Sequence, residues 1–209
     1  MLLEDISLKL QAGRAKEVEA LVNQALEEKI PVQDILAKGL LSGMEVIGAK
    51  FRDGEIFIPE VLVAARAMNK GVDILKPYYA ASGVKAVGKA CIGTVQGDLH
   101  DIGKNLVKLM LESKGFEVID LGTDVSPDTF VKTAVENDCS VICCSALLTT
   151  TRGVMADVVK AAEAAGIRDK VKILIGGAAV SAEFREETGA DIYTVDASSA
   201  ADAAFACVD

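Results

Sequence analysis

The chain has 209 residues, enough for one large domain or two small ones, with 51% hydrophobic and 25% charged residues but only 4% aromatics and no Trp. That mixture suits Ala-rich helices on Val/Ile strands better than an all-β sandwich. The net charge of −9 leaves no basic stripe for phosphates, so no nucleic-acid partner is expected. No apolar run approaches the roughly 18 residues needed to span a bilayer, and Met1 to Leu10 lacks a signal-peptide core. The expectation is therefore a cytoplasmic protein without a membrane partner. An odd cysteine count (Cys91, Cys139, Cys143, Cys144 and Cys207) without a C-x-x-C pair points to reduced thiols, mostly packed in apolar runs.

In chain order, the first half reads as four helices. Leu3 to Ala12 stops at Gly13, and Lys16 to Lys29 puts Val18, Leu21, Val22, Ala25 and Leu26 on one face. Pro31 opens a third helix that runs through Lys50 with Ile35, Leu36, Leu40, Met44 and Ile47 inward. Arg52-Asp53-Gly54-Glu55 is a turn, and Phe57-Ile58-Pro59 leads into a fourth helix ending before Pro77. Short connections favour a four-helix bundle. The small, polar stretch Ala80 to Lys85 reads as a linker and hinge, dividing the chain into 1–83 and 84–209.

The second half has a βαβ rhythm. Strands are expected at Ala90–Val95, Glu117–Leu121, Val141–Ala146, Val171–Ile175 and Ile192–Val195. Helices are expected at Ile102–Lys114, Pro127–Asn137, Arg152–Ala165, Ala182–Thr188 and Ala200–Cys207. Continuous apolar runs such as Val141-Ile142-Cys143-Cys144 fit strands buried on both faces. The fold class is α/β: a helical bundle followed by a Rossmann-like, flavodoxin-like, doubly wound five-stranded parallel sheet. Ligands of such sheets sit at the carboxyl ends of the strands.

Those ends carry Gly97, Asp98 and His100 after the first strand, then Gly122 and Thr123 after the second. Ser145, Leu147 and Thr149-Thr150-Thr151 follow the third, and Gly176-Gly177 the fourth. Each has a plain alternative, since glycines serve tight turns and Ser or Thr cap helices; Thr149 to Thr151 fit a cap well. His100 is the only histidine. A single histidine cannot build a zinc site, but it can supply one axial ligand to a metal whose other positions a macrocycle fills. Asp98, two positions earlier, can accept the hydrogen bond of the ring N–H that does not face the metal. Gly97 and Gly103 allow close approach of backbone and cofactor.

Asp98-x-His100-x-x-Gly103, then Ser145-x-Leu147, then Gly176-Gly177 resembles the signature of the cobalamin-binding domain. That domain occurs in methionine synthase, carbon-skeleton mutases and corrinoid proteins of methyltransferase systems. The spacings agree, with 41 residues between Gly103 and Ser145 and 28 between Leu147 and Gly176. In the first half, Gly54-Glu55-Ile56-Phe57-Ile58-Pro59-Glu60-Val61 followed by Ala65-Arg66-Ala67-Met68 is similar to the helical cap of the methyltransferase branch. The resemblance implies a corrinoid bound base-off/His-on, with His100 Nε2 on cobalt and Asp98 and Thr151 completing a relay. It implies that Gly97, Asp101, Ile102 and Gly103 surround the ring, and that Ser145, Leu147, Thr149, Gly176 and Gly177 flank the nucleotide tail. Phe57 is the best-matched capping residue, with Met44, Val61 and Leu62 behind it.

The resemblance further implies a methyl carrier rather than a complete enzyme. Cobalt(I) would accept a methyl group from a substrate-specific methyltransferase, and a second methyltransferase would pass it to tetrahydrofolate or coenzyme M, with a reductive activator as a third partner. A mutase small subunit would not need the four-helix cap. The rival from a different class is a cobalamin sensor or storage protein without turnover, but sensors normally carry a DNA-binding module, and neither a helix-turn-helix nor a basic patch is present.

Overall fold

The structure is a computed structural model that describes residues 1–82 and 86–208. It divides into two compact units, Met1–Lys85 and Ala86–Asp209. The boundary expected at 83/84 falls on residues outside the described ones.

The first unit is helical: α1 (Leu2–Gln11), α2 (Ala15–Glu27), α3 (Val32–Asp34), a π-helical segment (Ile35–Leu41), α4 (Ser42–Arg52) and α5 (Ile58–Ser82). The residues between α3 and α4 keep right-handed helical backbone angles at Ile35, Asp34, Leu41 and Ser42, so α3, the π segment and α4 form one continuous rod. The four rods thus formed bury Ile6, Leu10, Val18, Val22, Leu40, Met44, Val61 and Leu75. Close packing against α1 explains two glycines of the third rod. A Cβ at Gly39 would meet Ile6 Cγ2 at 3.2 Å, and one at Gly43 would meet Ser7 O at 3.1 Å.

Two expectations for this unit are corrected. The fourth helix does not end before Pro77 but carries it inside and continues to Ser82. Proline removes one helical hydrogen bond and crowds the preceding turn, yet Leu75 is fully buried two residues earlier and anchors that turn in the core. Ala80, Ala81 and Ser82 are consequently helical rather than linker, and residues 83–85 of the expected hinge lie outside the described residues. The π segment had no signal in the hydrophobic period.

The second unit contains β1 (Lys89–Thr94), α6 (Ile102–Ser113), β2 (Glu117–Asp120), α7 (Pro127–Glu136), β3 (Val141–Ser145), α8 (Val154–Ala164), β4 (Lys172–Gly176), α9 (Ala182–Thr188), β5 (Ile192–Tyr193) and α10 (Ala197–Phe205). All strand pairs are parallel and the order is β2-β1-β3-β4-β5. That is the flavodoxin-like order, whose direction of winding reverses between β1 and β3. Alternation along the strands divides the core between the two faces. Cys91, Ile142, Cys144, Ile173 and Ile175 join Phe130, Val131, Met155, Val158 and Phe184 of α7, α8 and α9 in one cluster. Helices α6 and α10 pack against each other and on the sheet.

Element ends differ where a cap sets the helix start ahead of the expected one. Helix α10 starts three residues earlier than expected because Asp196 caps it, accepting from Ser199 N at 2.8 Å. Strand β5 is correspondingly short, and Val195 is exposed rather than paired. Four cysteines are buried and all five are free thiols, Cys207 alone being exposed. Among the described residues no helix is long and apolar enough to cross a membrane.

Candidate functional site

The register aligns Thr94, Ser145 and Gly176 across the carboxyl ends of β1, β3 and β4. The loops leaving this row, at the point where the winding reverses, bring most of the expected residues together. A cavity of about 480 Å³ opens there, lined by Leu99, His100, Asp101, Ile102, Gly103, Ser145, Ala146, Leu147, Gly177 and Ala178.

The loop after β1 is held from several sides. Gly97 turns it with a left-handed φ of +83° and donates its N–H to Asp124 Oδ1 at 2.7 Å. Thr94, fully buried, donates its hydroxyl to the His100 carbonyl at 2.8 Å. Asp98 is completely buried, while the His100 side chain is 51% exposed.

Asp98 is the hub of the site. Its Oδ1 accepts from His100 N at 3.0 Å and from His100 Nδ1 at 2.6 Å. Its Oδ2 accepts from Leu147 N at 2.8 Å, Leu148 N at 3.3 Å and Thr151 Oγ1 at 3.1 Å. Burial alone would raise this carboxyl, but the bonds from His100, Leu147 and Thr151 outweigh it and hold the group well below the usual carboxylate range. Asp98 is therefore ionised at neutral pH, and it fixes the ring tautomer. With Nδ1–H donated to the carboxylate, Nε2 is left as the nitrogen a ligand can meet.

The plain alternative for Thr149 to Thr151, a helix cap, is not what forms. Helix α8 begins after Gly153 without a side-chain cap, and the Thr151 hydroxyl instead reaches Asp98 or the Leu148 carbonyl, both at 3.1 Å. Thr149 is exposed on the same turn. Gly176 and Gly177 have opposite surroundings. A Cβ at Gly176 would meet nothing within 4 Å, whereas at Gly177, with φ +121°, it would lie 2.0 Å from Ala146 O. Gly103 likewise faces open space. Phe57 stands just before α5 in the other unit, 68% exposed, its N–H donated to Glu60 Oε2 at 3.1 Å.

Sequence reasoning missed several supports. Thr94 and Asp124 carried a weak signal, as polar groups at strand ends. The Leu147 and Leu148 amides carried none, because any residue type supplies an N–H. Lys104 was read only as part of a helix, yet it is 2% exposed. Its Nζ donates to Asp120 Oδ1 at 2.6 Å and to Asn105 Oδ1 at 2.7 Å, and Asn105 in turn donates to Asp101 Oδ2 at 3.1 Å.

A corrinoid fits these residues on structural grounds. Among the described residues no group of three or more His, Cys, Asp or Glu could hold a metal ion, so His100 suits a metal that brings its other ligands with it. The cavity offers an apolar lining of Leu99, Ile102 and Leu147, each more than 40% exposed, and glycine backbone that a large flat ligand can approach.

Comparisons with known proteins agree. One family model described as a B12 binding domain matches residues 88–206, and a second of the same description matches residues 2–76. The chain is 42% identical over 184 residues to the trimethylamine corrinoid protein of Methanosarcina barkeri, covering 87% of this chain and 85% of that protein. It is 39% identical over 199 residues to dimethylamine corrinoid protein 3 of Methanosarcina acetivorans, covering 95% and 93% respectively. Among solved structures, a chain of the methanol:cobalamin methyltransferase complex MtaBC from Methanosarcina barkeri superposes with a TM-score of 0.90 at 29% identity, covering 99% of this chain and 79% of that one. With both halves matched and relatives this similar over nearly its whole length, the chain belongs to the B12-binding corrinoid proteins.

Proposed function

We propose that the protein is a methyl carrier: it holds a corrinoid, receives a methyl group from a substrate-specific methyltransferase and presents it to a second methyltransferase using tetrahydrofolate or coenzyme M, with a reductive activator as a further partner. The relatives' names, two methylamine corrinoid proteins and a methanol:cobalamin methyltransferase complex, support a small methylated compound as the donor. The observation that carries the reading is the buried Asp98 carboxylate bound to His100 Nδ1 at 2.6 Å, because it presents one defined nitrogen, Nε2, at the cavity.

A bound corrinoid supplies a cobalt atom able to take up and release a methyl group. The chain's own residues do the rest. His100 would hold the metal through Nε2. Asp98 keeps the proton at Nδ1 and its negative charge strengthens the donor nitrogen. The same carboxylate would balance positive charge on the ring. The Leu147 and Leu148 amides and the Thr151 hydroxyl hold Asp98 in place. Leu99, Ile102 and Leu147 exclude water, Asp101 and Gly103 border the ring, and Ser145, Gly176 and Gly177 flank the nucleotide tail. Phe57, in the helical unit, is proposed as the capping residue.

The test is reconstitution of the full chain with cobalamin, followed by absorption spectra and electron paramagnetic resonance of the cobalt(II) form made with 15N-histidine. The expected result is a coloured protein whose cobalt couples to a histidine nitrogen, with the coupling lost in His100→Ala. A protein left colourless after desalting overturns the corrinoid reading, and a coupling unchanged in His100→Ala overturns the ligand assignment.

A further inference from the structure

The loop from Gly176 to Val180 forms one wall of the cavity through Gly177 and Ala178, and its backbone is fastened at two points. At Gly177 it lies directly against the Ala146 backbone, where no side chain fits, and Ala146 N donates to Gly176 O at 3.1 Å. Beyond Ala178, where the loop also closes on itself through Val180 N to Gly177 O at 2.9 Å and buries Val180, the second tie to the opposite wall is a single side chain. Arg152 Nη1 donates to Ala179 O at 2.8 Å, and the guanidinium lies over the Phe184 ring, 4.4 Å from its centroid. A cation seated on an aromatic face while donating to a carbonyl is well suited to fix a loop.

Arg152 also belongs to the opposite wall. It directly follows Thr151, and its N–H donates to Leu148 O at 3.1 Å. The β3–α8 turn that supplies Leu147, Leu148 and Thr151 to Asp98 is therefore joined by one side chain to the β4–α9 loop. The two walls border the strip of Ser145 and Gly176, neighbours across the sheet, where the Gly176 position opens on empty space. Nothing in the ligation of His100 uses Arg152.

We infer that Arg152 is a positioning residue that sets the width of the channel for the corrinoid's nucleotide tail, so that it governs selection of tail-bearing corrinoids without touching the metal or its ligand. The inference rests on the corrinoid reading above. Loss of the Arg152–Ala179 bond unties Ala178 and Ala179 from the opposite wall while Val180 stays buried and bonded to Gly177 O, and a ligand reaching between the two walls feels the change most.

The test compares two probes on the full chain, cobalamin and cobinamide, which share the corrin ring but differ in the nucleotide tail. Affinities come from absorption titration of the cofactor-free protein. Arg152→Met keeps the apolar stem and removes the donor and the charge. The expected result is cobalamin binding weakened about tenfold, the loss of one charged hydrogen bond, with cobinamide binding within about twofold of wild type and the His100 coupling retained in the cobalamin that still binds. Phe184→Leu keeps an apolar filler but removes the ring face; it gives the same selective loss at smaller size, and decides the question if Arg152→Met does not fold. Equal losses for both probes, or no loss for either, overturn the inference while leaving the corrinoid reading intact. Failure of the wild type to bind either probe overturns the reading itself, and the inference with it.

Discussion

Replacing Asp98 with Asn removes one charge and one acceptor oxygen from a fully buried side chain. The carboxylate accepts from His100 N and Nδ1 on one oxygen and from Leu147 N, Leu148 N and Thr151 Oγ1 on the other. Asn has a single acceptor oxygen. Turned toward Leu147 and Leu148, it keeps those bonds and leaves its NH2 facing His100, where Nδ1 can shift tautomer and accept but His100 N cannot. The opposite orientation sets NH2 against two backbone N–H groups and is worse. In the better orientation the partly buried His100 N–H loses its partner, costing about 2 kcal/mol. The four surviving bonds change from charge-assisted to neutral, at about 0.5 kcal/mol each. The expected loss is therefore about 4 kcal/mol of unfolding free energy at pH 7. Urea unfolding of the cofactor-free chain, followed by circular dichroism, measures it. The pH dependence has a definite sign. The unfolded carboxyl titrates near the ordinary value of about 3.9 and the folded one well below it. The wild-type advantage is thus fully present above about pH 5, and shrinks as pH falls through the ordinary value toward the folded one. The tautomer shift also leaves Nε2 carrying the hydrogen, so the reconstituted variant should show no histidine coupling. A loss under about 1 kcal/mol, or one independent of pH between about 2 and 6, would refute the assignment of Asp98 as an ionised hub.

Gly177→Ala should cost about 3 kcal/mol or more, because its Cβ would stand on the Ala146 carbonyl in a backbone region that favours glycine. Gly176→Ala should change the melting temperature little, while Gly176→Leu should fold and bind cobalamin more weakly; calorimetry and absorption titration report the two effects separately. Lys104→Met should lower stability by about 2 kcal/mol in urea, less than for a fully buried pair, because Asp120 keeps Lys108 at 3.4 Å and Gly122 N at 3.0 Å; the loss should persist in 0.5 M salt. Phe57→Ala should leave the unfolding midpoint within about 0.5 kcal/mol of wild type, since the ring is 68% exposed, and should speed photolysis of bound methylcobalamin if the residue acts as a cap.

The parts of the fold legible in the sequence were those written in runs and periods. Val141 to Cys144 announces a strand buried on both faces, and Ser126-Pro127 announces the start of α7, where Ser126 Oγ accepts from Thr129 N at 3.3 Å. The Asp98-x-His100 spacing was readable because two residues on one short loop can reach each other without help from the fold. The rest of the hub was not. Leu147 and Leu148 contribute only their amides, so their contact with Asp98 depends on how the β1 and β3 loops meet. Lys104 looks like any surface lysine until Asp120, on a different element, is placed beside it. Pro77 shows a local rule overridden by packing, with a fully buried neighbour at Leu75, and the π segment left no mark in the hydrophobic period although it packs closely on α1 at Gly39.

The five donors around Asp98 are all supplied by the chain itself. Nε2 of His100 is thus aimed by the chain's own donors, and under the proposed function the ordering entropy of that loop would be spent during folding rather than during loading. Loading then resembles docking into a finished socket. Under that same proposal, any movement of His100 would be the motion of one side chain on a fixed pivot, held by Asp98.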